Sequence, residues 1–227
     1  MAAGNSVNDE IREQHQKLKD RPFKEKLSYF IDYYKVHVIV TILVLLLGGN
    51  LIYTIVTQKD IALYTICINS LPSNNIDTYI SEFETFAEIN TEDFEVNIEP
   101  AFSLDLDGGD MYSIANVQKM IAMISAMELD SVFTDQELLE YYGKEVSYAD
   151  LSTILPEEIL EEYSDSLYYM DVPDDGKGEI PIGIDVSSSA KLQEMNLYPG
   201  VSPVYYAIVS NSQRTDTAVE FLNYLFQ

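Results

Sequence analysis

A long apolar stretch without charged residues lies near the start of the chain. Residues 36–56 contain no Asp, Glu, Lys or Arg. At about 1.5 Å per residue, a helix of this length spans roughly 31 Å, which matches the hydrocarbon core of a bilayer. The stretch is longer than the apolar core of a usual signal peptide, and no small-x-small cleavage site follows it. The pattern predicts a transmembrane helix over residues 36–57, acting as an uncleaved signal anchor.

The segment before this stretch carries apolar residues at helical spacing. They are Phe23, Leu27, Phe30 and Tyr34, at i, i+4, i+7 and i+11, with lysines beside them. The spacing predicts a juxtamembrane amphipathic helix over residues 23–35. One interpretation places it in the membrane interface, with its lysines at the lipid headgroups. The other makes it a cytoplasmic extension of the spanning helix. Residues 1–22 are expected to form a cytoplasmic tail.

From residue 60 onward, the hydrophobic pattern predicts alternating strands and helices. Buried strands are predicted over residues 61–69, 94–102 and 129–133, and a helical spacing of apolar positions follows each of them. A capping box beginning at Thr134 is expected to open the third helix. The order β-α-β-α-β-α is typical of a mainly parallel sheet with helices on both faces. The predicted fold class of residues 58–227 is therefore α/β.

The pattern is looser beyond residue 145. Residues 167–172 and 180–186 are expected to pair across a turn at 173–178. Residues 204–210 read as a further buried strand. A last helix is predicted from Ala218, Phe221, Leu222 and Leu225, which stand at i, i+3, i+4 and i+7.

Charge is abundant and unevenly distributed. The chain has 13 Lys and Arg against 38 Asp and Glu, a net charge of −25, which excludes a general nucleic-acid binder. Residues 1–35 hold 7 of the 13 basic residues, whereas residues 58–227 hold 6 basic and 32 acidic residues, a net charge of −26. Positive charge collects on the cytoplasmic side of a membrane span. The N-terminus is therefore expected on the cytoplasmic side of the cell membrane, and residues 58–227 on the extracellular side.

The residues that most catalytic and metal sites require are scarce. The two histidines are His15 and His37, so residues 58–227 have no His, and they contain the one cysteine of the chain. This excludes an ordinary zinc site, a His-based triad and an intramolecular disulfide there. Counted from Asp105 in the acidic segment 105–110, positions 6 and 12 are Asp110 and Asn116, where an EF-hand loop requires Gly and Glu. No cofactor, no metal and no enzymatic activity are expected.

Two segments resemble extracellular solute-binding proteins of ABC importers. Residues 118–133 (QKMIAMISAMELDSVF) are similar to a helix-then-strand segment of that family, with Met127 where the family has Gly. Residues 203–212 (PVYYAIVSNS) and 218–222 (AVEFL) resemble its returning strand and last helix. The anchored layout is similar to membrane-anchored proteins of low-GC Gram-positive bacteria. The resemblance implies a periplasmic-binding-protein-like ectodomain with a reduced second lobe, formed by residues within about 145–202.

Two functions of different classes follow. The resemblance implies a single-pass, membrane-anchored extracellular binding or accessory protein, set in a transport system, with a small-molecule ligand and a transporter or other membrane protein as partners. Residues 23–57 would contact membrane lipid. The alternative is a structural or interaction subunit of a membrane protein complex that binds no solute.

Candidate binding residues lie in the loops that follow the predicted strands. In open α/β sheets, ligands bind outside the carboxyl ends of the parallel strands. The polar residues expected at those ends are Ser70, Ser103, Asp105 and Asp135. If these four residues form a ligand- or partner-binding site, their side chains are expected to converge in one concavity.

Overall fold

The computed structural model describes residues 22–106, 111–143, 148–171 and 178–227, together with Arg12 and Gln16. Most of the expected cytoplasmic tail, part of the acidic segment (residues 107–110) and most of the turn expected at 173–178 lie outside the described residues. The chain divides into two units, Met1–Gln58 and Lys59–Gln227, and each is described by itself.

The first unit contains one long helix, α1, which runs without a break over Phe23–Thr57. The segment Tyr34–Thr57 of this helix, with 24 residues, is long and apolar enough to cross a membrane. No residue in its most apolar stretch is buried by other parts of the chain. A signal sequence can have the same length and composition. Threonines inside the helix satisfy their hydroxyls locally, since Thr41 Oγ1 donates to the carbonyl oxygen of His37 at 2.8 Å.

The second unit is built on one six-stranded sheet. Its strands are β1 (Asp60–Ile68), β2 (Phe94–Phe102), β3 (Ser131–Thr134), β4 (Leu167–Asp171), β5 (Glu179–Asp185) and β6 (Tyr205–Ile208). They lie in the order β2-β1-β3-β6-β5-β4. Strand β1 pairs in parallel with β2 and β3, whereas the β3–β6, β6–β5 and β5–β4 pairings are antiparallel. The sheet is mixed, so the prediction of a mainly parallel sheet was wrong.

The reason lies in the connection between β5 and β6. A parallel strand needs a crossover that carries the chain back to the opposite edge of the sheet. Here the connection stays at the edge where β5 ends, because Val204 N donates to Ser187 Oγ at 2.8 Å just before β6 begins. Strand β6 must then run antiparallel to β5. Strands β4 and β5 also join the same sheet, so the described residues contain no separate sheet for the expected reduced second lobe.

Helices cover both faces of the sheet. They are α2 (Ile76–Phe86), α3 (Met111–Ser125), α4 (Gln136–Tyr142), α5 (Leu151–Ile154), α6 (Glu157–Glu162), α7 (Ala190–Met195) and α8 (Thr215–Leu225). On one face, Phe83 of α2 and Phe221 of α8 are fully buried, with ring centroids 4.9 Å apart. On the other face, Met120 of α3 and Leu139 of α4 pack in a second core with Phe102. The expected strand–helix alternation therefore produces two cores with the sheet between them.

Helix α4 begins one residue later than the capping-box prediction placed it. Asp135 is the N-cap, and its carboxylate accepts a hydrogen bond from Leu138 N at 2.9 Å. Thr134 instead belongs to β3, where it pairs with Tyr205 and is fully buried. Its hydroxyl has no hydrogen-bond partner. Strand pairing thus removed Thr134 from the capping position, and the prediction that it caps the helix was wrong.

Helix α3 ends in a left-handed turn at Met127. This residue has φ 59°, while Glu128 N donates to the Met123 carbonyl at 2.8 Å and Met127 N to the Ile124 carbonyl at 3.0 Å. These two bonds define a Schellman motif, whose left-handed position favours glycine. Met127 therefore stands where the backbone favours Gly, and it adopts the left-handed conformation with a side chain.

A buried ion pair joins distant parts of the second unit. Asp130, just before β3, is fully buried and accepts hydrogen bonds from Tyr64 N at 2.7 Å and from Arg214 Nε at 2.8 Å. Ser212 Oγ donates to the same carboxylate at 2.5 Å. Arg214 also donates to the carbonyl of Glu128 at 2.8 Å. These contacts tie β1, β3 and the loop before α8 together.

Candidate functional site

The loops after β1 and β2 are fastened to each other. Ser70 is buried, and its hydroxyl accepts a hydrogen bond from Ala101 N at 2.8 Å. Asn69 makes two bonds to the other loop: its Nδ2 donates to the Leu104 carbonyl, and its Oδ1 accepts from Leu104 N, both at 2.8 Å. The Ser70 hydroxyl therefore has a structural role that couples the two strand ends.

The other three predicted site residues are also placed at this edge of the sheet. Ser103 and Asp105 are exposed and follow β2, and Asp105 N donates to Ser113 Oγ of α3 at 2.7 Å. Asp135 follows β3, and its carboxylate caps α4. The structure thus brings all four to one edge, where the Ser70 and Asp135 side chains make structural hydrogen bonds. A binding role for these four residues stays a prediction.

A concavity of about 470 Å³ lies at the same edge, and we call it the edge groove. It is lined by Ser187, Leu192, Gln193, Asn196, Tyr198, Pro199, Gly200, Val201, Ser202 and Val204. None of these lining residues carries a charge, and none belongs to the four predicted site residues. The volume falls in the range of sites that hold small molecules.

The turns at either end of the segment after β5 shape the groove. Ser189 caps α7 by accepting a hydrogen bond from Leu192 N at 3.1 Å. The helix ends at Asn196 with φ 54°, a left-handed conformation that Asn tolerates better than most residues. Gly200 has φ 78° and bends the chain again. Gln193 Nε2 donates to the Ser187 carbonyl at 2.9 Å, which holds two walls of the groove together.

Tyr198 attaches the groove to the sheet. Its hydroxyl lies 2.8 Å from the carbonyl oxygen of Ile68, at the end of β1, and 3.1 Å from that of Phe133 in β3. Burial raises the pKa of Tyr198 well above its ordinary value, and the nearby charge of Asp135 contributes to the rise. The phenol therefore stays protonated and donates to these strand-end carbonyls.

Asn196 and Ser202 present free polar groups at the groove. Both residues are exposed, and their side chains make no hydrogen bond to any described residue. An amide and a hydroxyl offer both donors and acceptors, and Pro199 and Val201 add apolar surface beside them. Among the described residues, no group of three or more His, Cys, Asp or Glu could hold a metal ion. The chemistry of the groove is that of neutral hydrogen bonding.

Sequence reasoning missed the edge groove because its residues lie in the segment where the hydrophobic pattern is loosest. The local signals are Asn196 and the Pro199–Gly200 pair, which mark turns but not what the turns enclose. The predicted edge of the sheet was nevertheless the edge at which the groove lies.

No protein-family model matches the chain, and no curated protein matches its sequence. Two crystal structures are weakly similar in structure, both of the N-glycan transport solute binding protein NgtS from Streptococcus pneumoniae. One is 20% identical, with 57% of this chain and 25% of that chain covered and a TM-score of 0.29. The other, in complex with Man5GlcNAc, is 19% identical, with 56% and 26% covered and a TM-score of 0.27. This chain spans about a quarter of the length of those structures. The predicted resemblance thus has weak structural neighbours of the solute-binding class, without a family or sequence match.

Proposed function

We propose that this chain is a single-pass, membrane-anchored protein whose extracellular domain binds a neutral, polar small molecule in the edge groove, as the binding component of a transport system. The observation that carries the proposal is the absence of charge from the groove lining, in a unit whose sequence contains 32 acidic residues. The protein acts by binding and not by catalysis.

The class of ligand follows from electrostatics. The net charge of −26 creates a negative potential around the domain, which repels anions. A cation site would be lined by carboxylates, whereas the groove offers the Asn196 amide and the Ser202 hydroxyl. A neutral molecule bearing hydroxyl or amide groups pairs with both and is indifferent to the surrounding field.

Ligand binding is tested by thermal unfolding of the Lys59–Gln227 unit in the presence of neutral sugars, polyols, amino acids, short peptides and anions. A neutral polar ligand at a hundredfold excess over its Kd stabilises the folded state by about 2.7 kcal/mol. We expect Asn196→Gly to weaken binding about tenfold or more, because it removes the amide and keeps the left-handed backbone. Asn74→Gly, which removes an exposed amide outside the groove, is the matched control and should bind like the wild type. Equal binding by Asn196→Gly, or stabilisation by anions alone, would contradict the proposal.

The membrane anchor and its orientation rest on two observations. Helix α1 is long and apolar enough to span a bilayer, and basic residues collect before it while acidic residues collect after it. A membrane-impermeant thiol reagent added to intact cells is therefore expected to modify Asn74→Cys and to leave Ser6→Cys unmodified. The native Cys67 gives little background, because it is fully buried and burial raises the pKa of its thiol. The reverse labelling pattern would place the domain in the cytoplasm.

One observation favours the alternative of an interaction subunit. Helix α3 exposes large apolar side chains, with Met111 84%, Tyr112 80%, Ile114 50% and Ile121 53% exposed. Exposed apolar surface of this kind marks protein contacts. A membrane protein that co-purifies with the chain, with no solute stabilising the Lys59–Gln227 unit, would favour this alternative over the edge groove.

A further inference from the structure

Asn50 is a strongly polar residue inside the apolar part of α1. The candidate span is Tyr34–Thr57, and Asn50 lies roughly 7 Å from its midpoint along the helix axis. Since half of a hydrocarbon core is about 15 Å thick, this amide lies within the hydrocarbon when the helix spans a membrane.

The hydrogen bonds of the Asn50 side chain are incomplete. Thr54 Oγ1 donates to the Asn50 backbone carbonyl at 3.0 Å and lies 3.3 Å from Asn50 Oδ1. The amide nitrogen, which has two N–H donors, makes no hydrogen bond to any described residue. Lipid supplies no hydrogen-bond acceptor at this depth, so an unpaired amide is costly there. The amide therefore needs an acceptor from outside its own helix.

Asn50 also belongs to a seam with the spacing of a coiled coil. Its members are Ile39, Leu43, Leu46, Asn50, Tyr53 and Thr57, separated alternately by four and three residues. All are exposed within this chain. This alternation is the a/d pattern of left-handed helix packing, the commonest packing between membrane helices, and it puts Asn50 at an a position. An Asn at an a position is a known determinant of register and partner number.

We propose that α1 pairs with α1 of a second copy of this chain along this seam, which we call the Asn50 seam, and that the two Asn50 amides hydrogen-bond to each other. An amide carries both donors and an acceptor, so the same residue from a two-fold related copy satisfies both. An apolar partner helix would leave the N–H groups unpaired. The inference rests on the proposed membrane anchor.

The large negative charge of the extracellular domains opposes pairing but does not prevent it. Each copy carries a net charge of −26 after residue 57, and like charges repel. At physiological salt, exposed charges more than about 8 Å apart are largely screened. Contacts along the Asn50 seam lie in the hydrocarbon, where salt does not reach them, so pairing is expected to strengthen as ionic strength rises.

Cysteine cross-linking of the purified full chain in phosphatidylcholine liposomes tests the seam. Under mild oxidation we expect Leu46→Cys, on the seam, to form a covalent dimer and Leu45→Cys, about 100° away around the helix, to stay monomeric. Adding Asn50→Leu to Leu46→Cys should weaken association roughly three- to thirtyfold, measured as the protein-to-lipid ratio at half-maximal cross-linking. Thr41→Leu is the matched control, because Thr41 lies on the opposite face and its hydroxyl is satisfied by His37. It should leave cross-linking unchanged.

The outcomes separate this inference from the membrane anchor. Release of the full chain from liposomes by alkaline carbonate would overturn the anchor and the pairing together. Retention in the membrane, with equal cross-linking at Leu46→Cys and Leu45→Cys or with no effect of Asn50→Leu, would overturn the pairing alone. Retention with cross-linking specific to Leu46→Cys and sensitive to Asn50→Leu supports both.

Discussion

Replacing Asp130 by Asn is expected to lower the free energy of unfolding of the Lys59–Gln227 unit by about 3–5 kcal/mol. Asp130 is fully buried and accepts hydrogen bonds from Tyr64 N, Ser212 Oγ and Arg214 Nε. The neutral amide leaves the Arg214 guanidinium, whose side chain is 23% exposed, without its counter-charge. It also presents N–H groups where the site supplies donors already.

The matched control for this variant is a surface ion pair. Lys119 Nζ lies 2.7 Å from Glu99 Oε2, with the two side chains 44% and 34% exposed. Because exposed pairs contribute about 0–1 kcal/mol, Lys119→Gln should change stability little. Urea unfolding followed by far-UV circular dichroism measures both variants. If Asp130→Asn and Lys119→Gln lower the free energy of unfolding equally, the buried pair contributes no more to stability than the exposed pair.

The second large effect expected is loss of stability at alkaline pH. Burial raises the pKa of Tyr148 and Tyr206 far above the ordinary value near 10, and burial with a hydrogen bond to Glu140 raises the pKa of Tyr168 to about 12. A tyrosine with a raised folded-state pKa contributes stability that is complete below pH 10 and is lost as the pH rises through the folded-state pKa. Tyr148 and Tyr206 together should lower the free energy of unfolding by about 5 kcal/mol between pH 10 and 12. Urea unfolding at a series of pH values measures this slope.

Tyr148→Phe is the variant that tests the cause of this slope. The Tyr148 hydroxyl is buried without a hydrogen-bond partner, so its removal should leave stability at pH 7 unchanged or slightly higher. Above pH 10 the variant should lose about 1.4 kcal/mol less per pH unit than the wild type. An unchanged alkaline slope in Tyr148→Phe would show that this tyrosine does not hold its proton in the folded state.

Features that depend on neighbouring residues could be predicted from the sequence. Strands β1 and β2 were placed within one residue, and the four apolar positions predicted for the last helix, 218–225, lie inside α8, because alternation and helical spacing are local patterns. The hairpin of β4 and β5 was also predicted, and their antiparallel pairing confirms it. The direction of β6 was not predictable, since a buried apolar strand has the same pattern whether it runs parallel or antiparallel to its neighbour.

The candidate site, too, could be predicted from the sequence only in part. The rule that ligands bind at the carboxyl ends of strands selected the edge of the sheet at which the edge groove lies. It did not select the groove residues, because these come from the segment between β5 and β6, which meets the end of β1 through long-range contacts such as the Tyr198 hydroxyl on the Ile68 carbonyl. Asp135 was predicted to follow β3, and it does. The prediction that Thr134 caps α4 was wrong, because Thr134 pairs with Tyr205 as the last residue of β3.

The sequence by itself determined the apolar span, the uneven distribution of charge, the strand and helix positions and the exclusion of histidine-based chemistry from residues 58–227. Each of these is a property of composition or of residues close together in the chain. Only the tertiary structure decided the mixed sheet, the edge groove and the buried Asp130–Arg214 pair. Tyr198 meets Ile68 across 130 residues, and Arg214 meets Asp130 across 84. Such contacts depend on how separate elements pack, and no local pattern encodes which distant residue will be the partner.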